Sequence, residues 1–267
     1  MLDAHSFFAL ADFPHADVFA GTVRAWEALG NLKQYMQTAT GALPDEAGPP
    51  ASGIPLVEPL VLYAGRLFPG RDCEISYGDV VRGGLSVRRE GLALPGASVL
   101  MAGAVFLGRR IELGRGVLVE PGALIKEPAI IGDHTEIRQG AYLRGYCLIG
   151  RRCVVGHTTE VKHSIFLNDA KAGHFAYVGD SILGGEVNLG AGTKLANFRF
   201  LPGEVQVKTP DGVLGSGLRK FGAILGDRVQ TGCNSVTSPG AVVGPESLIM
   251  PNATVRSGYH PARSTLR

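Results

Sequence analysis

The chain is short of aromatic residues, which make up 7% of its 267 positions and include a single tryptophan. A narrow interior lined by small aliphatic side chains fits that shortage. Cysteine is scarce as well. Cys73, Cys147, Cys153 and Cys233 form no C-x-x-C pair, which argues against a metal site and a disulfide framework. No apolar run reaches the ~18 residues of a membrane-spanning helix. There is no block of like charge, no basic patch interleaved with aromatics, and a formal net charge of only +2. That balance speaks against nucleic acid or a membrane surface as partner. The first residues, MLDAHSFFALADFPHAD, lack the basic stretch and apolar run of a signal peptide, so a cytoplasmic protein is expected.

Glycine, by contrast, is plentiful at 38 residues, in a chain of ordinary globular composition (45% hydrophobic, 19% charged). It punctuates a ladder. Leu107, Leu113, Val119, Ile125, Ile131, Ile137, Leu143, Ile149, Val155 and Val161 recur at every sixth position. Two residues before each rung stands a small or β-branched residue, from Val105 and Ile111 to Cys153 and Thr159. Strand side chains alternate faces, so each rung and its partner point inward together. Neither a helix nor a hairpin has a period of six. A three-faced solenoid does, with one hexapeptide per face and 18 residues per coil. The class is therefore all-β, and Cys147 and Cys153 are expected to be buried hydrophobes.

The ladder also sets the organisation. Residues 1–55 form an N-terminal segment, with a helix expected over about 17–38 from the apolar face of Val18, Val23, Trp26, Leu29, Leu32 and Tyr35. A Pro/Gly/Ala linker follows over 41–55. Residues 56–267 form the second domain. Its first twenty residues are apolar without a clear period, and the solenoid is expected over about 76–258, in eight or nine coils. The phase slips near 165–183. The ladder then resumes at Leu183, Leu189 and Leu195, breaks, and returns at Leu225, Thr231, Thr237, Val243, Ile249 and Val255. Residues 198–221 carry no ladder, and Thr209-Pro-Asp-Gly within them predicts a projecting hairpin.

Stacking at intervals of 18 exposes candidate chemistry. Lys126, Arg144 and Lys162 each follow a rung and share one outward column. Like charges about 5 Å apart repel by roughly 3 kcal/mol at an effective dielectric near 20, so the column suits an anionic ligand such as a sugar phosphate or nucleotide. Glu160 lies two residues before Lys162. His174 and Tyr177 fall where the phase slips, and a neutral imidazole oriented by a carboxylate is a general base suited to pH 7. Asn197 directly precedes the unladdered loop, where its amide could polarise a carbonyl.

These residues carry a family resemblance. Glu160-Val-Lys-His-Ser, Lys171-Ala-Gly-His-Phe-Ala-Tyr-Val-Gly-Asp, Asn188-Leu-Gly-Ala-Gly-Thr and Asn197 resemble the acetyltransferase domain of bifunctional sugar-1-phosphate nucleotidyltransferase/acetyltransferases. Asn197-Phe-Arg-Phe and Arg219-Lys-Phe-Gly-Ala-Ile-Leu-Gly-Asp look most like the archaeal-type members. The resemblance covers about 100–258 and implies a left-handed parallel β-helix, a homotrimer and acetyl-CoA as acyl donor. It puts His174 at the general base, Glu160 at the acid beside it, and Asn197 near the acyl transfer centre. Arg144, Lys162, Tyr177 and Lys220 then hold the sugar phosphate or nucleotide, Asn188 contacts the sugar, and Ala191 offers a backbone contact to the coenzyme.

The chain also departs from the family pattern. No G-x-G-T-R-like loop is present, and the 75 residues before the ladder are too few for a nucleotidyltransferase domain. Phe198 stands where many bacterial members have tyrosine, the 198–221 loop is longer, and the C-terminal coenzyme arm is not recognisable. The resemblance implies N-acetylation of an amino-sugar 1-phosphate or nucleotide-linked amino sugar. A non-catalytic nucleotide-sugar-binding or trimerising module, partnering a separate nucleotidyltransferase, is the rival reading. A γ-type carbonic anhydrase shares the solenoid but needs an H-x-x-x-x-H spacing, which His134, His157, His163 and His174 do not provide.

Overall fold

Strand alternation closes these hexapeptides into three parallel sheets. A computed structural model describes residues 2–44 and 52–267 of the chain; part of the expected linker, 45–51, lies outside the described residues. The first face carries eight strands, from Val105–Leu107 to Thr254–Val255, and the second carries eight, from Ile111–Leu113 to Gly258–His260. The third face carries eleven. Nine of these are parallel, from Ser98–Leu100 to Thr265–Leu266, and Leu60–Tyr63 and Arg66–Pro69 add to one end as an antiparallel hairpin. Among the described residues the protein is an all-β parallel solenoid of about nine turns with one short α-helix.

The rungs from Val119 to Val161 are fully buried, as are the partners from Val117 to Thr159. Each buried Ile, Leu or Val stabilises by about 1.5–3 kcal/mol, which holds together strands of only two or three residues. The two threonines among these partners keep their hydroxyls bonded, Thr135 to the Gly150 carbonyl at 2.8 Å and Thr159 to that of Ala172 at 3.1 Å.

The ladder fails at its first rung. Leu107 is 43% exposed, and Phe106 is the buried residue that stacks on Ile125. The corner from Phe106 to Leu113 holds one residue more than that from Ile125 to Ile131. The Glu127 carboxylate secures the longer corner by accepting from the Arg109 and Arg110 N–H groups, at 2.8 and 2.9 Å. The solenoid also starts later than expected, at Ser98, and runs on to Leu266. Glu74–Ser76, Ser86–Arg89 and Leu92–Ala93 instead form a separate antiparallel sheet. Val87 of this sheet, with Val80 and Leu85 from the turn between its first two strands, packs on the outward Val61, Val99 and Leu118 of the third face, so they serve a cluster outside the coils.

The phase slips at the two corners that bound the expected stretch, not at His174 or Tyr177. Val161 stacks on Val178 and Phe166 on Leu183, but only five residues separate Val161 from Phe166 and Val178 from Leu183. The corners Lys162-His163-Ser164 and Gly179-Asp180-Ser181 are each one residue short. His163 and Asp180 take left-handed φ there, 46° and 48°. The Ser164 and Ser181 hydroxyls close the corners by donating to the carbonyls of Lys162 and Gly179, both at 2.8 Å. His174 and Tyr177 keep the regular spacing.

The N-terminal helix α1 spans Glu27–Ala39, ten residues later than expected, because the chain reverses at Gly21 (φ 73°). The Glu27 carboxylate accepts the Val23 and Arg24 N–H groups at 2.7 and 3.2 Å and so caps the start. Leu29, Leu32 and Met36 of α1 belong to one apolar cluster with the outward Ile130, Leu148, Ile165 and Ile224 of the second face. The 198–221 loop does contain a hairpin, Gln206–Thr209 with Gly212–Gly215. It does not project. Val205 and Val207 are fully buried in the same cluster, so the loop folds back over the second face. Among the described residues no helix is long and apolar enough to cross a membrane.

Candidate functional site

Inward positions of the first face belong to the core, so its chemistry stands outward in two columns. Tyr142, Glu160, Tyr177 and Lys194 align in one. Lys126, Arg144 and Lys162 form the other, which ends at Gly179. The cation column exists, but each cation has its own partner, so the expected repulsion is relieved. Arg144 Nη1 donates to Glu160 Oε1 at 2.7 Å, and Lys126 Nζ lies 5.3 Å from the Tyr142 ring centre. The Glu160 carboxylate pushes the Arg144 guanidinium above its ordinary range.

Lys162 Nζ donates to Asp180 Oδ2 at 2.9 Å and to Oδ1 at 3.3 Å. The same carboxylate accepts from His163 Nδ1 at 2.9 Å and from the amide of Asn197. Burial alone would raise the Asp180 carboxyl. Hydrogen bonds from His163, Lys162 and Asn197 outweigh it and hold the group below the usual carboxylate value. Tyr177 stands opposite Glu160. Burial, then the charges of Glu160 and Asp180, push its phenol up, while a hydrogen bond from Asn197 works the other way.

His174 occupies the edge between the third and first faces. It is exposed, stands opposite His157 in the strand register, and its ring centre lies 6.4 Å from that of Phe175. The next coil stacks on it, with the Gly192 N–H donating to the His174 carbonyl at 3.0 Å. Ala191 therefore lies on the same edge, and its carbonyl accepts from the Asn234 N–H at 2.8 Å. Asn188 is further round, on the third face between Lys171 and Gln230. It lines an open cavity of about 600 Å³ with Arg152, Asp169 and Glu186. Another cavity, of about 480 Å³, lies near Leu43 and the first coils and touches none of these residues. Lys220 is exposed and pairs with Phe198 in an antiparallel bridge that closes the loop.

One chain thus gathers Arg144, Glu160, Lys162, Tyr177 and Asn197 on the first face, with His174 and Ala191 on the adjoining edge. Two expected arrangements differ. Glu160 does not orient His174 within the chain, because its carboxylate is engaged by Arg144. Asn197 does not present a free amide; it is 9% exposed and donates to Asp180. Sequence reasoning missed Asp180 and His163. Their signal was the pair of five-residue corner intervals, which reads as a loss of phase and was assigned to His174 instead.

Comparison with known proteins bears on this same stretch. Residues 125–234 match the family described as the GMPPB C-terminal domain. The chain is 43% identical over 94 residues to a bifunctional sugar-1-phosphate nucleotidylyltransferase/acetyltransferase of Sulfurisphaera tokodaii, covering 35% of this chain and 23% of the relative. It is 42% identical over 94 residues to the bifunctional protein GlmU of Methanococcus vannielii, covering 35% and 22%. Over 106 residues it is 27% identical to a putative uncharacterized acetyltransferase, YaiX, of Escherichia coli, covering 40% and 46%. The chain spans about a quarter of the two bifunctional relatives and under half of the third. The resemblance to the sugar-1-phosphate nucleotidyltransferase/acetyltransferases holds over this part of the chain, and residues 125–234 carry both the first-face cluster and the His174 edge.

Proposed function

We propose that the chain is an acetyl-CoA-dependent N-acetyltransferase acting on an amino-sugar 1-phosphate or a nucleotide-linked amino sugar. The observation that carries this reading is the first face, where Arg144, Lys162 and Tyr177 cluster beside an edge presenting an exposed His174. Arg144 and Lys162 receive the phosphate, assisted by Lys220 from the loop. Asn188 contacts the sugar. The substrate nitrogen attacks the thioester carbonyl, a C–N bond forms, the C–S bond breaks, and the coenzyme leaves through sulfur. The nitrogen attacks as the uncharged amine, once the ammonium has given one proton to solvent; His174 takes the proton that the nitrogen sheds as the C–N bond forms and passes it to the leaving thiolate. A phosphate on Arg144 competes with Glu160 for the same N–H groups, which releases the carboxylate to steady the imidazole. Asn197 fixes Tyr177, and the backbone N–H of Ala191 serves the thioester oxygen.

Asn188 lies on a different face from the Arg144 cluster, and α1 and the 198–221 loop already cover the second face. The first face and the later coils of the third, beyond the Val61–Leu118 cluster, remain for contact between copies. We assign the working form to a homotrimer in which a neighbour completes each site; sedimentation showing only monomer at micromolar concentration would overturn it. The decisive assay measures thiol release from acetyl-CoA across a panel of amino-sugar phosphates and nucleotide-linked amino sugars. His174→Ala should lower turnover by about 10²–10⁴-fold with little change in sugar binding. Unimpaired turnover would place the base elsewhere, and nucleotide-sugar binding without turnover by the native protein would favour a non-catalytic module.

A further inference from the structure

The buried carboxylate of Asp180 touches more of the candidate site than any residue the sequence pointed to. Its side chain is 7% exposed. It receives hydrogen bonds from Lys162 and His163, one coil before it, and from Asn197, one coil after it. Three successive coils are therefore tied at one corner. A carboxylate only accepts, so the His163 nitrogen facing it, Nδ1, carries the hydrogen.

A purely structural need would not call for this arrangement, because a buried ion pair can often be replaced by apolar groups at no cost in stability. The neighbouring residue adds an independent observation. A Cβ on Gly179 would stand 2.6 Å from the Asn197 side-chain nitrogen and 2.6 Å from the Tyr177 hydroxyl. Glycine at that position lets Asn197 and Tyr177 close over the end of the cation column. The contrast with Glu160 is informative as well. Glu160 is 34% exposed with Arg144 as its partner, a pair that a ligand can open. Asp180 is held by three partners and remains in place when a ligand arrives.

We infer that Asp180 is a positioning residue of the site. It sets where the Lys162 ammonium stands, and through Asn197 where the Tyr177 hydroxyl stands. This rests on the acetyltransferase reading for its consequence in turnover, but not for its consequence in binding. Bound to Asp180, Lys162 offers an incoming phosphate an ammonium whose charge is largely offset and whose place is fixed. Removing the carboxylate charge frees the ammonium but releases its geometry. Binding of a simple anion and productive transfer should therefore move in opposite directions, which general unfolding would not produce.

The test uses Asp180→Asn, with inorganic phosphate as probe in calorimetry and the acetyl-transfer assay in parallel. Phosphate should bind about threefold or more tighter than to the native protein, by release of a competing ion pair. Turnover should fall about tenfold or more, as expected for a misplaced binding group. Gly179→Ala should lower turnover while leaving phosphate affinity unchanged, since it disturbs Tyr177 and Asn197 but not the Lys162–Asp180 pair. Should Asp180→Asn not fold, Asp180→Glu replaces it. A displaced carboxylate should still impair turnover, and native turnover in that variant would overturn the positioning role. Unchanged or weaker phosphate binding by a folded Asp180→Asn would also overturn it. If the native protein transfers no acetyl group, the acetyltransferase reading fails on its own account, and the phosphate measurement still decides whether Asp180 restrains Lys162.

Discussion

Truncating Ile131 to alanine tests the packing that defines the solenoid. Ile131 is fully buried, with Leu113 stacked on one side and Ile149 on the other. The change removes about three methylene equivalents, worth about 2.4 kcal/mol in lost transfer at roughly 0.8 kcal/mol each. Leu113 and Ile149 are pinned by the ladder bonds of their own strands, so they cannot collapse into the space, and the cavity should bring the loss to about 3–4 kcal/mol. Leu107→Ala is the matched control. The six-residue period makes the two positions equivalent, yet Leu107 is 43% exposed and leaves no closed cavity, so its truncation should cost about 1 kcal/mol or less. Equilibrium unfolding in guanidinium, followed by the far-ultraviolet strand signal, reads both variants, with the m-value checked for constancy. An Ile131→Ala protein within about 0.5 kcal/mol of the native one, or a Leu107→Ala protein as damaged as it, would refute the inward phase assigned here.

Lys162→Ala should destabilise by about 1–3 kcal/mol, because the buried Asp180 loses its cation, while Arg144→Ala, which breaks a half-exposed pair, should cost under about 1 kcal/mol; denaturant melts at neutral pH compare them. The Asp180 carboxyl is held below the ordinary carboxylate value by its hydrogen bonds, so its share of stability is complete above that value and is lost as pH falls through the lower folded one. Acid unfolding of Asp180→Asn should therefore be flatter below about pH 4 than that of the native protein, and identical profiles would contradict the assignment. Burial pushes the Cys147 and Cys153 thiols up to about 12, whereas Cys233 is exposed. With a thiol reagent at pH 8, Cys233 should label quickly, and Cys147 and Cys153 only as fast as the chain unfolds.

The solenoid was legible because its core obeys a short-range rule. A residue every sixth position, alternating with a small partner, is a statement about one strand at a time, and eight rungs from Val119 to Val161 follow it. What was not legible depends on corners and on cover. A corner one residue long or short shifts the phase without marking which residue turns the corner, so Leu107 passed for a rung and the slip at His163 and Asp180 was attributed to His174. The apolar face of the 198–221 hairpin is visible in Val205 and Val207, but nothing in that segment says that the second face lies beneath it. The same holds for α1, whose partners Ile130, Leu148 and Ile165 alternate with the rungs and look like surplus hydrophobicity until the N-terminal segment is laid on them. For the site, residue types and stacking were readable, and pairings were not. Arg144 and Lys162 were placed in one column, but Glu160 and Asp180 were not seen as their partners.

That difference between column and pairing bears on how such a surface can work. A bare column of three cations would bind any anion and would repel itself in its absence. Here Arg144 and Lys162 are each matched to a carboxylate, one loosely at the surface and one firmly in a tightened corner. The exposed pair can be exchanged for a ligand phosphate at little cost, because its own contribution is small. The buried pair cannot, because opening it would strand a charge in a poorly solvated corner. On the proposed reading, selectivity follows from geometry rather than from net charge: the ligand displaces Glu160 and meets Lys162 where Asp180 holds it. The shortened corners supply that geometry. Dropping one residue after the first-face strand puts Gly179, instead of Asp180, in register with Lys162 and turns the Asp180 side chain into the corner between coils. The irregularity that interrupts the sequence ladder is thus what brings Asp180 onto Lys162, and in the proposed function it is what gives the anion site its geometry.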